Sequence, residues 1–413
     1  MADEKDDLDR RVGLRVRALR LRRGLGVGAC AELCGRSPEW LRQVERGEQP
    51  LDKLSTVMQL AQVLGVTDLG SLVGEKLGVL TFAVLPKGRP THQAVPLVRR
   101  ILSAPTLPGA SRPGLPAEIR KVEKRIAQAW HAWHGSRTPY TALGIIVPDL
   151  LRDAIDLHRA TPEPGRRRTW ALLAEVFQMA QRFLYCVGEP ELAVRAADRA
   201  MVAAEEADDP LLLGVSAWTS CMAALAGGRF DEVEDITGSA TSHLQPLSNR
   251  SSDALSLCGS LYLFTAIGYA RDNRPADAWR LWDRAAEAAD RLGPSHHNNL
   301  TMFSEGNVGI YAVAIDIESG KAKSGLTRAN SIDESRVLST NRQAQHKLDL
   351  ARGHWTRGEL AAALHSLYES EHASAETILY NPIVREIIMA SLASLSRRPD
   401  ARLLDLARRL QLL

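Results

Sequence analysis

The chain has 413 residues, 45% of them hydrophobic, enough to build real cores and to exclude a disordered polymer. Its 52 basic residues against 49 acidic ones leave a net charge of only +3, which excludes a polycationic nucleic-acid coat and makes any such binding local. Five scattered cysteines make no disulfide framework, MADEKDDLDR has no apolar leader core, and no apolar run nears the roughly 18 residues of a membrane span. The expectation is a cytoplasmic protein of two or three domains with no membrane partner.

From residue 8 to 23, Val12, Val16 and Leu19 recur at helical spacing between seven arginines: Arg10, Arg11, Arg15, Arg17, Arg20, Arg22 and Arg23. Residues 8–66 carry eleven Lys/Arg against six Asp/Glu, so this short stretch holds more positive charge than the whole chain. Such a helix is either a solvated charged face or a set of phosphate contacts.

Next comes LGVGACAELCGRSPEWLRQVERG, residues 25–47. It reads as a short small-residue helix, a turn at Gly35 needing positive φ, and a second helix capped by Ser37 with Pro38 at its first position. Leu41 and Val44 face inward; Glu39, Trp40, Arg42, Gln43 and Arg46 face outward, as a DNA-recognition helix requires. A further helix follows, with Leu51, Leu54, Val57, Met58, Ala61 and Leu64 as its buried stripe and Gly65 as its stop. TDLGSLVG adds a fifth short helix.

RRGL (22–25), AELCG (31–35), Ser37, VERGEQP (44–50) and the 51–66 stripe resemble the XRE family of helix-turn-helix regulators. The resemblance implies a lambda-repressor-like five-helix DNA-binding domain over residues 8–75. Arg17, Arg20, Ser37, Glu39, Trp40, Arg42, Gln43 and Arg46 are then the DNA-contacting set, with the arginines of the first helix, and Arg46, on the backbone. One departure matters. The family's Ser/Thr cap and following Gln at the start of the second helix are replaced by Gly26 and Val27, which removes a cap and a phosphate clamp. Gly24, Gly26 and Gly28 follow a basic helix where a dinucleotide site needs a strand. Cys30 and Cys34 lack a second ligand pair and read as core.

Residues 76–116 are rich in Pro and Gly and read as a linker, with a helical piece at 95–102 embedded in it. From 117 to 413 the pattern is helical and repetitive. Gly188, Gly228, Asn273, Gly320 and Gly358 mark turns at intervals of 38 to 47 residues, and a small residue follows each by five: Ala193, Val233, Ala278, Gly325 and Ala363. That is the spacing of lengthened tetratricopeptide (TPR) repeats. An earlier helix pair (117–160) and the segment 382–413 cap the array. The fold class is therefore all-α, an N-terminal helix-turn-helix domain, a linker and a TPR-like α-solenoid. This order resembles actinobacterial XRE regulators with TPR sensor domains and, in architecture, the peptide-sensing RRNPP family.

In such arrays the first helix of each repeat lines the concave side. Gln178, Arg182, Tyr185, Trp218, Met222, Asn307, Gln345, Arg352 and Trp355 fall there and form the expected effector site, for a peptide or a small molecule. His296 and His297 have no further ligands nearby, His131 and His134 pack beside Trp130 and Trp133, and no nucleophile elbow, Walker loop or HExxH motif is present. No metal, cofactor or enzymatic activity is expected. The reading is a homodimeric transcriptional regulator binding double-stranded DNA at two half-sites and modulated by an effector; the alternative is a TPR interaction scaffold with a weak DNA-binding head.

Overall fold

The computed structural model describes residues 2–51, 53–66, 72, 91–104, 116–394, 401–410 and 412. Every regular element among them is helical.

The N-terminal unit contains α1 (Ala2–Arg22), α2 (Val27–Leu33), α3 (Pro38–Arg46) and α4 (Leu54–Leu64). Val12 and Val16, Cys30 and Cys34, Leu41 and Val44, and Val57, Leu60, Ala61 and Leu64 make one core. Both cysteines thus pack as small apolar side chains. Met58, expected in the stripe, is 49% exposed, and Leu60 takes its place. Positions 57, 60, 61 and 64 fall on one helical face, and 58 lies about 100° from 57. The expected fifth helix lies outside the described residues except for Leu72, which is buried in this core. α1 crosses α3 without clearance: a Cβ on Gly13 would sit 2.3 Å from the carbonyl oxygen of Val44.

Most of the expected linker also lies outside the described residues. Its embedded helix is present as α5 (Val95–Ser103), with Val95, Val98 and Leu102 on one buried face. That face packs into the first core of the repeat array, beside Val147 and Leu151.

The array consists of helical hairpins: α6 (Pro116–Gly135) with α7 (Pro139–Ala160), α8 (Arg166–Cys186) with α9 (Pro190–Ala207), α10 (Pro210–Ala226) with α11 (Phe230–Leu244). They continue as α12 (Ser252–Arg271) with α13 (Pro275–Leu292), α14 (Glu305–Glu318) with α15 (Ala322–Ala329), and α16 (Thr340–Thr356) with α17 (Leu360–Ala373). Each of the five predicted turn residues has a left-handed backbone, φ 75° at Gly188, 70° at Gly228, 60° at Asn273, 75° at Gly320 and 76° at Gly358. In every one the next N–H returns to a carbonyl five residues back, as in Glu189 to Leu184, Arg229 to Ala224 and Arg274 to Tyr269. This closes the first helix of the hairpin with a Schellman-type bond. The small residues five positions on are buried at the helix crossing, and at Gly325 a Cβ would lie 2.7 Å from Ile317.

The first helices of successive hairpins (α6, α8, α10, α12, α14 and α16) pack side by side, and α16 returns to touch α6. The array therefore closes on itself. The seam is polar and specific. The Thr340 hydroxyl donates to the carbonyls of His134 (3.1 Å) and Ser136 (2.9 Å), and the Glu376 carboxylate accepts from the backbone N–H groups of Tyr140 and Thr141 at the start of α7. Helices α18 (Pro382–Ser394) and α19 (Ala401–Arg409) cover the last hairpin.

Candidate DNA-reading surface and the chamber behind it

The reading helix is built as its sequence requires. Ser37 has extended backbone and its hydroxyl accepts from the Trp40 N–H at 3.2 Å, which satisfies one free donor of the first turn. Ser37 therefore enters the expected contact set as the cap of the helix. Gly47 ends α3 at φ 77°. Leu41 and Val44 are buried, and Glu39, Arg42 and Arg46 are exposed. Arg42 donates to Glu39 (3.0 Å) and Arg46 to Glu48 (2.8 Å), exposed pairs that cost little to exchange for phosphate or base edges. Gln43 is half-buried; Trp40 rests partly on the core with the Arg36 guanidinium 5.4 Å from its ring. α2 begins at Gly26 with no side-chain cap bond, in line with the missing clamp.

The arginines of α1 divide. Arg17 is exposed and has no ion pair among the described residues. Arg20, expected on phosphate, is buried: its guanidinium grips both oxygens of Glu45, at 2.5 and 2.9 Å, and donates to the Leu25 carbonyl. It ties α1 to α3 and is unavailable to DNA. Arg15, Arg22 and Arg23 reach acids of the array instead: Asp272 at 3.7 Å, Glu318 at 2.6 Å, and Glu386. Leu21 packs on Gly320, and Gly24 lies against Thr356. Glu386 belongs to α18, while Asp272, Glu318, Gly320 and Thr356 lie at the C-terminal ends of α12, α14 and α16. The three helices run parallel, so their negative dipole ends share one rim, and the basic end of α1 docks there.

Behind that rim lies a partly open chamber of about 410 Å³ between the inner helices. Of the nine expected effector residues, six line it: Arg182, Tyr185, Trp218, Met222, Gln345 and Arg352. Three do not. Gln178 is fully buried and its amide donates to the Leu212 carbonyl and the Ser216 hydroxyl, stitching α8 to α10. Asn307 accepts from Arg342 at 3.1 Å and so positions that side chain, and Trp355 packs into the C-terminal core. Periodicity assigns a helix face but does not separate a lining residue from one a turn above it.

Further lining residues lie outside the set that helical periodicity picks out, among them Phe264, Arg271, Tyr311, Glu318 and Arg342. Glu318, 3% exposed in its side chain, receives Arg22, Arg271 (2.8 Å) and Arg352 (2.5 Å). Burial alone would raise the Glu318 carboxyl, but Arg22 first and then Arg271 and Arg352 hold it well below the usual carboxylate range. Burial also lowers the Arg182 guanidinium, and the nearby charge of Arg342 adds to that.

Among the described residues no His, Cys, Asp and Glu group could hold a metal ion, and no helix is long and apolar enough to cross a membrane. No curated protein and no solved structure matches the chain. Residues 11–70 match the family model described as a helix-turn-helix domain. With the capped α3 and its exposed polar face, the N-terminal unit is a helix-turn-helix DNA-binding domain.

Proposed function

We propose that this protein is a transcriptional regulator of the XRE type, in which a TPR-like array receives an effector and passes its presence to the DNA-binding unit. The observation that carries the reading is the position of Arg22. It belongs to α1, which supports the recognition helix, and it pairs with Glu318, which lines the chamber. A ligand that changes the charge around Glu318 changes how firmly α1 is held. That is the differential interaction a population shift requires. The uncapped start of α2 makes a single head a modest reader, so useful affinity comes from two heads on paired half-sites, with the array supplying the dimer contacts.

The test is binding of the full chain to genomic fragments at about 0.15 M salt. Footprints with two-fold symmetry are expected. A second reading, an interaction scaffold with a weak head, is favoured by the absent cap at Gly26. No enrichment of any fragment selects it.

A further inference from the structure

Among the described residues, the arginines that line the chamber outnumber its carboxylates. Four arginines line it, Arg182, Arg271, Arg342 and Arg352, against two carboxylates, Glu318 and Asp349. Glu318 pairs with Arg271, Arg352 and the incoming Arg22. Asp349 accepts from the Gln345 amide, and its charge is felt by Arg352 and Arg342 without an ion pair to either. Arg182 and Arg342 are thus the lining arginines with no carboxylate at ion-pair distance among the described residues.

Arg182 is only 8% exposed, and no carboxylate lies within ion-pair distance of it among the described residues. Its guanidinium stacks on Trp218, 4.2 Å from the ring centroid, with Trp133 on another side at 5.8 Å. Its one hydrogen-bond contact among the described residues is the Met222 sulfur at 2.8 Å, a weak acceptor. Arg342 has an amide oxygen of Asn307 and the face of Tyr311 at 4.7 Å; the Asp349 carboxyl is near enough to feel its charge but forms no ion pair with it. Two like charges share one low-dielectric space, an arrangement that costs free energy until an anion enters. The Trp218 indole N–H adds a buried donor without a partner among the described residues.

The rest of the wall mixes aromatic residues, Phe264, Tyr311, Tyr140 and Tyr380 beside Trp218, with aliphatic ones and with polar side chains such as Asn341, Gln345 and Asn381. The volume of about 410 Å³ lies at the low end of the ~300–1,000 Å³ typical of small-molecule sites. Closure of α16 onto α6 removes the open concave track that an extended peptide needs.

We propose that the chamber binds a small organic anion with an aromatic body, its carboxylate or phosphate held by Arg182 and Arg342 and its ring against Trp218 and Phe264. Planar guanidinium forks suit such groups, and charge-assisted bonds in a dry site are the strong ones. The proposal rests on the effector reading above and names the ligand class for that chamber.

The experiment uses the full-length protein with benzoate, phenylacetate and indole-3-acetate, each beside its neutral amide, followed by calorimetry and thermal melting. At about ten times its Kd a bound acid raises Tm by about 2–4 °C. The amides are expected to do nothing. Arg182→Met should weaken acid binding about 10- to 100-fold. The same variant should melt higher than the wild type without ligand, because an uncompensated buried charge is gone; Arg342→Gln gives the independent second variant. Equal binding of acids and amides, undiminished binding in both variants, or no binding of any acid at millimolar concentration overturns the proposal. DNA footprinting is run separately. Acids that bind without altering DNA affinity leave this site standing and sink the coupling, whereas footprints without acid binding do the reverse.

Discussion

Arg22 Nε lies 2.6 Å from Glu318 Oε2, an ion pair joining residues 296 positions apart and tying the helix-turn-helix unit to the helical array. Its geometry makes the DNA-binding unit a wall of the array rather than a bead on a string. Arg22→Met leaves Glu318 with two arginines and should cost about 1–2 kcal/mol, discounted because the Arg22 side chain is 24% exposed. Glu318→Gln strands three arginines and should cost about 3–5 kcal/mol. A double-mutant cycle by chemical denaturation measures the pair, and a coupling energy near zero would show that α1 docks by its apolar contacts alone.

Arg17 and Arg20 stand three positions apart and should behave oppositely. Arg17→Ala should weaken specific and random DNA alike and reduce the salt slope by about one. Arg20→Ala leaves Glu45 buried without its partner, so it should destabilise the N-terminal unit by about 3–5 kcal/mol. A stable Arg20→Ala protein with a flattened salt slope would return that residue to the phosphate set.

Arg42 is exposed on α3, and in the proposed function it reads base edges. Arg42→Ala should lose about 1–3 kcal/mol of discrimination between operator and random DNA while the fold is kept. Competition binding decides it: an unchanged specificity ratio removes Arg42 from the readout.

Gly13 has no room to grow. Its Cβ would meet backbone, the Val44 carbonyl oxygen at 2.3 Å, which cannot rotate away as a side chain can. Gly13→Ala should cost about 1–3 kcal/mol in the N-terminal unit and leave the melting of the array in place. A single unshifted transition would refute the close crossing of α1 and α3.

His346 is 2% exposed and neither ring nitrogen has a hydrogen-bond partner among the described residues, the Glu334 carboxylate standing 4.0 Å from Nε2. Burial pushes its pKa down to about 4, with Lys347 and Arg342 adding to the effect and Glu334 opposing it. The unfolded chain therefore takes up a proton below about pH 6.5 that the folded chain refuses. The contribution is present above that pH and is lost as pH falls toward 4. The stability difference between wild type and His346→Gln should shrink by up to about 1.4 kcal/mol per pH unit in that window. Melts at a series of pH values check it, and a constant difference would mean that the ring accepts its proton in the fold.

The amino-acid sequence by itself determined the local architecture. Gly188, Gly228, Asn273, Gly320 and Gly358 were readable because positive φ at a helix end is a property of one residue and its neighbours. Ala278 and Gly325 were readable because a helix crossing limits side-chain size wherever it occurs, and Ser37, Leu41 and Val44 because capping and periodicity act within a few residues. Met58 shows the margin of that reasoning, since a stripe drawn one position too wide includes an exposed side chain. Only the tertiary structure decided which charges are spent and which are left over. Arg20 meets Glu45, Arg22 meets Glu318 and Arg23 meets Glu386, while Arg182 meets no acid among the described residues. Closure of α16 onto α6 turned an expected open groove into a chamber. Charge pairing and ring closure act between residues tens to hundreds of positions apart. No local rule of spacing carries that information, so the tertiary structure decides both the chamber and which of its arginines have no acid at ion-pair distance among the described residues.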